Sequence, residues 1–216
     1  MRHPSAARIL AHRGHWKSEY EHKELEKNSL SAISRASELG FGLETDLRDF
    51  RGRIAISHDP VVSSGFGIEE LLCLDFEGPV ALNIKSDGLI PIIETAFNLT
   101  KPKFEYFFFD MSVPETVKYH SNNLPIASRL SEIETLTGGQ ENFVWLDSFR
   151  SEWYTTQTDW LGILDTSQVV IVSPELHSRA HTHTWEWITQ QMNQHENLYL
   201  CTDYPMEFLH FWESVS

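Results

Sequence analysis

Two carboxylates stand two residues apart in the run GLETDL, Glu44 and Asp46. If that run is a strand, both side chains leave on the same face. Carboxylates held that way repel each other unless a cation lies between them or one stays protonated. Ligation by oxygen alone suits a hard ion, Mg²⁺ or Ca²⁺, rather than Zn²⁺. Two histidines fall in short motifs, His12 in AHRGH and His58 in SHDP. Imidazole titrates near neutrality, so one ring can accept a proton while the other donates one. Arg13, beside His12, carries a planar fork that matches phosphate oxygens. Gly14 lets the backbone pass close to a ligand.

These groups need elements to aim them. Short runs rich in branched and aromatic residues alternate with helix-period segments along the whole chain. Strands are expected over 8–12, 42–47, 80–85, 106–110, 124–128, 143–147, 169–173 and 198–202. Amphipathic stripes lie between them, such as Leu30, Ile33, Ala36 and Leu39, opened by Asn28 and Ser29 and closed by Gly40. Strands alternating with helices imply parallel βαβ units. Eight such units in 216 residues fit a compact (β/α)₈ TIM barrel, with an open doubly wound sheet as the alternative. The barrel is favoured because nearly every apolar run ends in polar groups, which a barrel gathers at one mouth. One segment, 48–64, breaks the rhythm: Arg51-Gly52 reads as a turn, and Ile54 and Ile56 alternate toward His58. It is expected as a small β-insertion after strand 2, carrying His58 inward over the mouth.

Composition narrows the partners. Lys and Arg number 17 against 31 Asp and Glu, a formal charge of −14, and protonating all 11 histidines would leave the chain acidic. Binding nucleic acid or docking on anionic lipid by a basic surface is excluded on that balance. A single phosphate group is not, provided a metal or a few cations invert the field locally. No linker divides the sequence, so residues 1–216 are expected to form one domain. Cys73 and Cys201 are expected to be reduced and buried as small hydrophobes. The N-terminal stretch lacks a signal-type apolar core, and no apolar run reaches membrane-spanning length, so a cytoplasmic protein is expected.

The motifs HRG, N-S-L at a helix start, ETD on the second strand and HD shortly after occur in order. The stretch AHRGH…EKNSLSAISRASELGFGLETDLRDFRGRIAISHDP resembles the glycerophosphodiester phosphodiesterases. These are TIM-barrel enzymes that cleave glycerophosphodiesters to glycerol 3-phosphate and an alcohol with a divalent metal. The dense match covers residues 11–60, with looser echoes in LNIKSDG, FFFDMS, SPELHSR and CTDYP. The resemblance implies that His12 and His58 are the acid/base pair; the sequence does not decide which is which, and His12 as base with His58 as acid is the favoured order. It makes Glu44 and Asp46 metal ligands and Arg13 a phosphate clamp.

Two departures from the family pattern stand out. Glu26-Lys27-Asn28-Ser29 replaces the usual Pro-Glu-Asn-Thr, so an acidic residue becomes Lys27. On the third strand, Asn83-Ile84-Lys85 replaces Glu-x-Lys, so the third metal ligand becomes an uncharged amide oxygen. Weaker or more selective binding of Mg²⁺ or Ca²⁺ follows, with Asp110 or Asp203 as alternative ligands. Lys85, on the same face as Asn83, is expected to bind substrate phosphate. Glu175 and His177, after the seventh strand, are expected to contact the leaving group. Trp16 and Trp153 are candidate stacking platforms. Two other readings stand beside the first: a sphingomyelinase D-like phospholipid phosphodiesterase, and a non-catalytic phosphoester-binding protein with Asn83 marking a decayed metal site.

Overall fold

A computed structural model of the chain describes residues 4–18, 24–62, 65–136 and 141–215. The last two residues of the expected insertion, 63 and 64, lie outside the described residues. Nine strands follow in chain order: β1 (Ile9–His12), β2 (Gly42–Phe50), β3 (Arg53–Ile56), β4 (Val80–Ile84), β5 (Tyr106–Phe109), β6 (Ala127–Leu130), β7 (Phe143–Leu146), β8 (Gln168–Val172) and β9 (Leu198–Thr202). All but β3 run parallel, in the spatial order β5-β4-β2-β1-β9-β8-β7-β6. The two ends of that row meet through one parallel bridge, Phe108 to Ile126, so the eight strands form a nearly closed TIM-like barrel. β3 turns back at Arg51-Gly52, where the turn was expected, and pairs antiparallel with the outer half of β2.

The barrel follows from the strand sequences. β4 is buried from end to end and β8 from Val169 onward, as parallel strands covered on both faces must be. Alternate side chains build two separate cores. Leu10, Ala81, Phe107, Phe109, Phe143, Trp145, Val170 and Val172 fill the barrel interior, with Phe107 stacked on Phe143 and Phe109 against Trp145, both at 4.3 Å. The opposite faces pack against the helices α1 (Leu30–Leu39), α2 (Ile68–Leu72), α3 (Ile90–Leu99), α4 (Val113–Ser121), α5 (Thr182–Gln194) and α6 (Pro205–Val215). Ser29 caps α1 by accepting the Ala32 N–H at 3.2 Å, and Gly40 ends it in the left-handed conformation at φ +84°.

Among the described residues no α-helix stands between β6 and β8; two 3₁₀ stretches, Trp153–Thr155 and Thr158–Asp165, cover that side instead. The sixth strand also begins later than expected, at Ala127 rather than Leu124. Pro125 has no N–H to give a ladder, and its carbonyl serves only the Phe108 N–H at 2.9 Å. Cys201 is sealed in the barrel interior, where burial raises its thiol pKa, whereas Cys73 is exposed, against expectation. Among the described residues no helix is long and apolar enough to cross a membrane.

Candidate active site

Strand register brings the expected groups together. β1 and β2 pair His12 opposite Glu44, and β2 and β4 pair Asp46 opposite Asn83. A cavity of about 340 Å³ opens at the C-terminal mouth, lined on this side by His12, Arg13, Glu44, His58, Asn83 and Lys85. Active sites of this architecture sit at that end of the strands.

His12 is locked by a residue far along the chain. Its Nδ1 donates to Asp203 Oδ1 at 2.7 Å, which leaves Nε2 beside Glu44 Oε2 at 3.7 Å. The same aspartate oxygen accepts the Trp16 indole N–H at 3.3 Å, and Lys27 approaches Oδ2 at 3.4 Å. Burial alone would raise the Asp203 carboxyl, but the His12 hydrogen bond and the charges of His12 and Lys27 outweigh it and hold it below the ordinary carboxylate range. Asp203 therefore stands behind His12 as an orienting acceptor rather than among the metal-ligand candidates. Asp110, the other alternative ligand, is ion-paired with Arg129 across the mouth.

Asp46 lies beneath the cavity, wholly buried. Its Oδ2 accepts from Asn28 Nδ2 at 2.8 Å and faces Arg13 Nε at 3.1 Å, while Oδ1 faces Lys85 Nζ at 3.3 Å. Asn28 also accepts the Thr45 hydroxyl at 2.8 Å, so one buried amide braces two consecutive residues of β2. The sequence suggested Asn28 as a helix cap; Ser29 fills that role, and Asn28 turns inward in a left-handed conformation at φ +59°. Two cap-competent residues in a row, where a helix needs one, were the available signal. Gly14 also serves a different end. A Cβ there would come within 2.7 Å of the Ala32 carbonyl carbon, so its close approach is to the backbone of α1.

The donor set can be tested against a hard cation. Glu44 Oε2, Asn83 Oδ1 and Asp46 Oδ1 are buried with no hydrogen-bond donor among the described residues, and Asp46 Oδ1 is ion-paired with the Lys85 ammonium. Burial, then the charge of Asp46, drives the Glu44 carboxyl up to about 7, against the pull of His12, Arg13 and Lys85. Three open oxygens on adjacent strands and a carboxylate that resists ionising beside another both fit a cation between them. Among the described residues no three His, Cys, Asp or Glu side chains converge as a metal site. The ion would depend on two carboxylates and the Asn83 amide.

Other expected residues are placed differently. His58 lines the cavity, but its side chain is 45% exposed and its Nδ1 is bonded to the neighbouring Asp59 at 2.9 Å. His177 lines the opposite wall, with Nε2 on Asp147 Oδ1 at 2.7 Å. Arg129 sits between Asp110 and Asp147. Glu175 does not line the cavity. It turns down between β8 and β9, accepting from the Ser173 and Thr202 hydroxyls and from the Asp203 N–H at 3.2 Å. Trp16 carries the Lys17 and Lys27 ammonium groups over its ring, at 4.3 and 4.2 Å, and Trp153 donates its indole N–H to the Asp147 carbonyl at 2.9 Å.

No family model matches the chain, and no curated protein matches it in sequence. Solved structures do match. A glycerophosphodiester phosphodiesterase from Parabacteroides distasonis aligns with a TM-score of 0.62 and 16% identity, over 97% of this chain and 98% of that one. Another, from Agrobacterium tumefaciens, aligns with a TM-score of 0.62 and 12% identity, over 96% and 99%. At these identities the likeness is one of fold. Over nearly its whole length, the chain folds as these glycerophosphodiester phosphodiesterases do.

Proposed function

We propose that the protein is a metal-dependent phosphodiesterase that cleaves a glycerophosphodiester to glycerol 3-phosphate and an alcohol. The observation that carries this reading is His12, fixed through Nδ1 by Asp203 with Nε2 turned to a cavity that also holds Arg13, Glu44, Asn83 and Lys85. With Nδ1 donating, Nε2 keeps its lone pair and is the base. It takes the proton of the nucleophile, which is a water, or the glycerol 2-hydroxyl followed by a water that opens the resulting cyclic phosphate to glycerol 3-phosphate. His58, on the rim of the same cavity, returns a proton to the departing alkoxide. Arg13 and Lys85 exchange Asp46 for the phosphate oxygens as substrate enters. Glu44, Asp46 and the Asn83 carbonyl would hold Mg²⁺ or Ca²⁺, whose charge offsets that building on the non-bridging oxygens. The cavity volume stands near the small end of ligand pockets and suits a deacylated, small phosphodiester.

Purified protein tested on glycerophosphocholine and bis-p-nitrophenyl phosphate, with Mg²⁺, Ca²⁺ or EDTA, decides the matter. Turnover sensitive to chelator and abolished by His12→Ala is the expected result. Release of a cyclic phosphate in place of glycerol 3-phosphate would move the protein to the sphingomyelinase D-like mode. Binding of glycerol 3-phosphate without turnover under either metal would overturn catalysis altogether.

A further inference from the structure

Asp203 is the first residue past β9, one step beyond the last pairing with β1, Ala11 to Thr202. The sheet no longer offers its N–H an acceptor there. Glu175 supplies one. This carboxylate, 7% exposed, comes from the turn after β8 and takes the Asp203 N–H and the Thr202 hydroxyl on Oε1. Its Oε2 takes the Ser173 hydroxyl and lies 3.8 Å from His181 Nδ1. Ser173 in turn accepts the Trp185 indole N–H at 2.9 Å, so its own proton is directed at Glu175. Donors thus converge on an acceptor-only group, which is what a buried carboxylate requires.

From this geometry we infer that Glu175 is a positioning residue for His12, acting through Asp203. The chain of contacts runs from Glu175 Oε1 to the Asp203 main chain, and from the Asp203 carboxylate to His12 Nδ1. Asp203 fixes the ring only if its own backbone is fixed, and beyond the strand end Glu175 does that. Release of Asp203 lets the His12 ring turn and take up either tautomer. In its kinetic arm the inference rests on the phosphodiesterase reading; in its structural arm it does not.

The structural arm is a ¹⁵N measurement of the histidine rings in the full chain at pH 8, with His12 assigned from the His12→Ala spectrum. Wild type is expected to show the Nδ1–H tautomer at His12. Glu175→Ala is expected to give a mixture, and Glu175→Gln, whose amide oxygen can still accept on the Oε1 side, to retain the wild-type pattern. An unchanged His12 signal in Glu175→Ala overturns the inference. The kinetic arm is a double-mutant cycle. Glu175→Ala is expected to lower kcat about 10-fold with KM nearly unchanged, and to have no further effect in an Asp203→Ala background. Additive losses would mean that Glu175 is only a strap between β8 and β9, and would overturn it. If Glu175→Ala does not fold, Glu175→Asp, one methylene short of Asp203, takes its place with the same expected direction. Wild type without turnover would sink the phosphodiesterase reading, while the tautomer measurement still decides this one.

Discussion

His12 and His58 each hold an aspartate through Nδ1, at 2.7 and 2.9 Å, yet the two pairs are built differently. His12 ends a barrel strand, and its partner lies 191 residues away, one residue past the end of the neighbouring strand. Both members of that pair are 13% exposed. His58 follows the short β3 excursion and bonds the next residue in sequence, with the two side chains 45% and 88% exposed. Local pairing in water fixes little, because solvent competes for the same hydrogen bonds and screens the charges. Buried pairing between neighbouring strands fixes tautomer and direction together. The direction of His12 is thus preset by the fold, whereas His58 depends on an insertion to bring it in.

The largest test of that contrast is removal of each ring. His12→Ala should lower kcat by about 10³–10⁴, and His58→Ala by about 10²–10³, within the usual span for proton-transfer groups. Steady-state rates on a glycerophosphodiester with an alkoxide leaving group measure both. On bis-p-nitrophenyl phosphate, whose phenolate leaves without a proton, the His58→Ala deficit should largely vanish while that of His12→Ala persists. A deficit of His58→Ala that survives on the activated substrate would break the assignment of His58 as acid.

Removing the partners gives a smaller effect and a sharper one. Asp203→Asn presents an amide that can donate to Nδ1 and favours the wrong tautomer, so kcat should fall on the order of 10². Asp59→Asn should change kcat by less than about threefold, since the pair it belongs to is open to water. Equal effects from the two substitutions would show that the exposed pair is organised when substrate is bound.

The sequence made one side of this contrast easier to read than the other. Periodic apolar runs located all eight barrel strands, because burial on both faces leaves a continuous signal. HRGH, ETD and SHDP were legible as motifs, since each groups its chemistry within a few residues. The Asp203–His12 bond, the inward turn of Asn28 and the descent of Glu175 between β8 and β9 were not. Each joins residues whose proximity is created by strand order, and β9 lies beside β1 only after the barrel closes. Glu175 illustrates the limit well. Its place after a strand suggested the mouth, and the donors that turn it inward, Ser173 and Thr202, carry no signal of direction in sequence.

His15, three residues after His12, is a third case: an imidazole buried with no hydrogen-bond partner at either ring nitrogen among the described residues. It packs beside Phe41 at 5.9 Å between ring centroids. Burial, then the nearby charge of Arg35, lowers its pKa to about 4, only partly countered by Glu207. The unfolded chain protonates His15 near the ordinary 6.5, so between 6.5 and about 4 the unfolded state binds more protons than the folded one. Stability from this residue is therefore complete above pH 6.5 and is lost as pH falls toward 4. At pH 5 the loss should be about 2 kcal/mol. His15→Phe keeps an aromatic ring against Phe41 and removes the titration, so its urea midpoint should vary less with pH across that window than wild type's. Turnover at pH 7.5 should be unchanged, because His15 is neutral there. A wild-type midpoint equal in slope to that of His15→Phe would show that the buried ring takes a proton without cost, and that burial alone does not separate this histidine from the one held by Asp203.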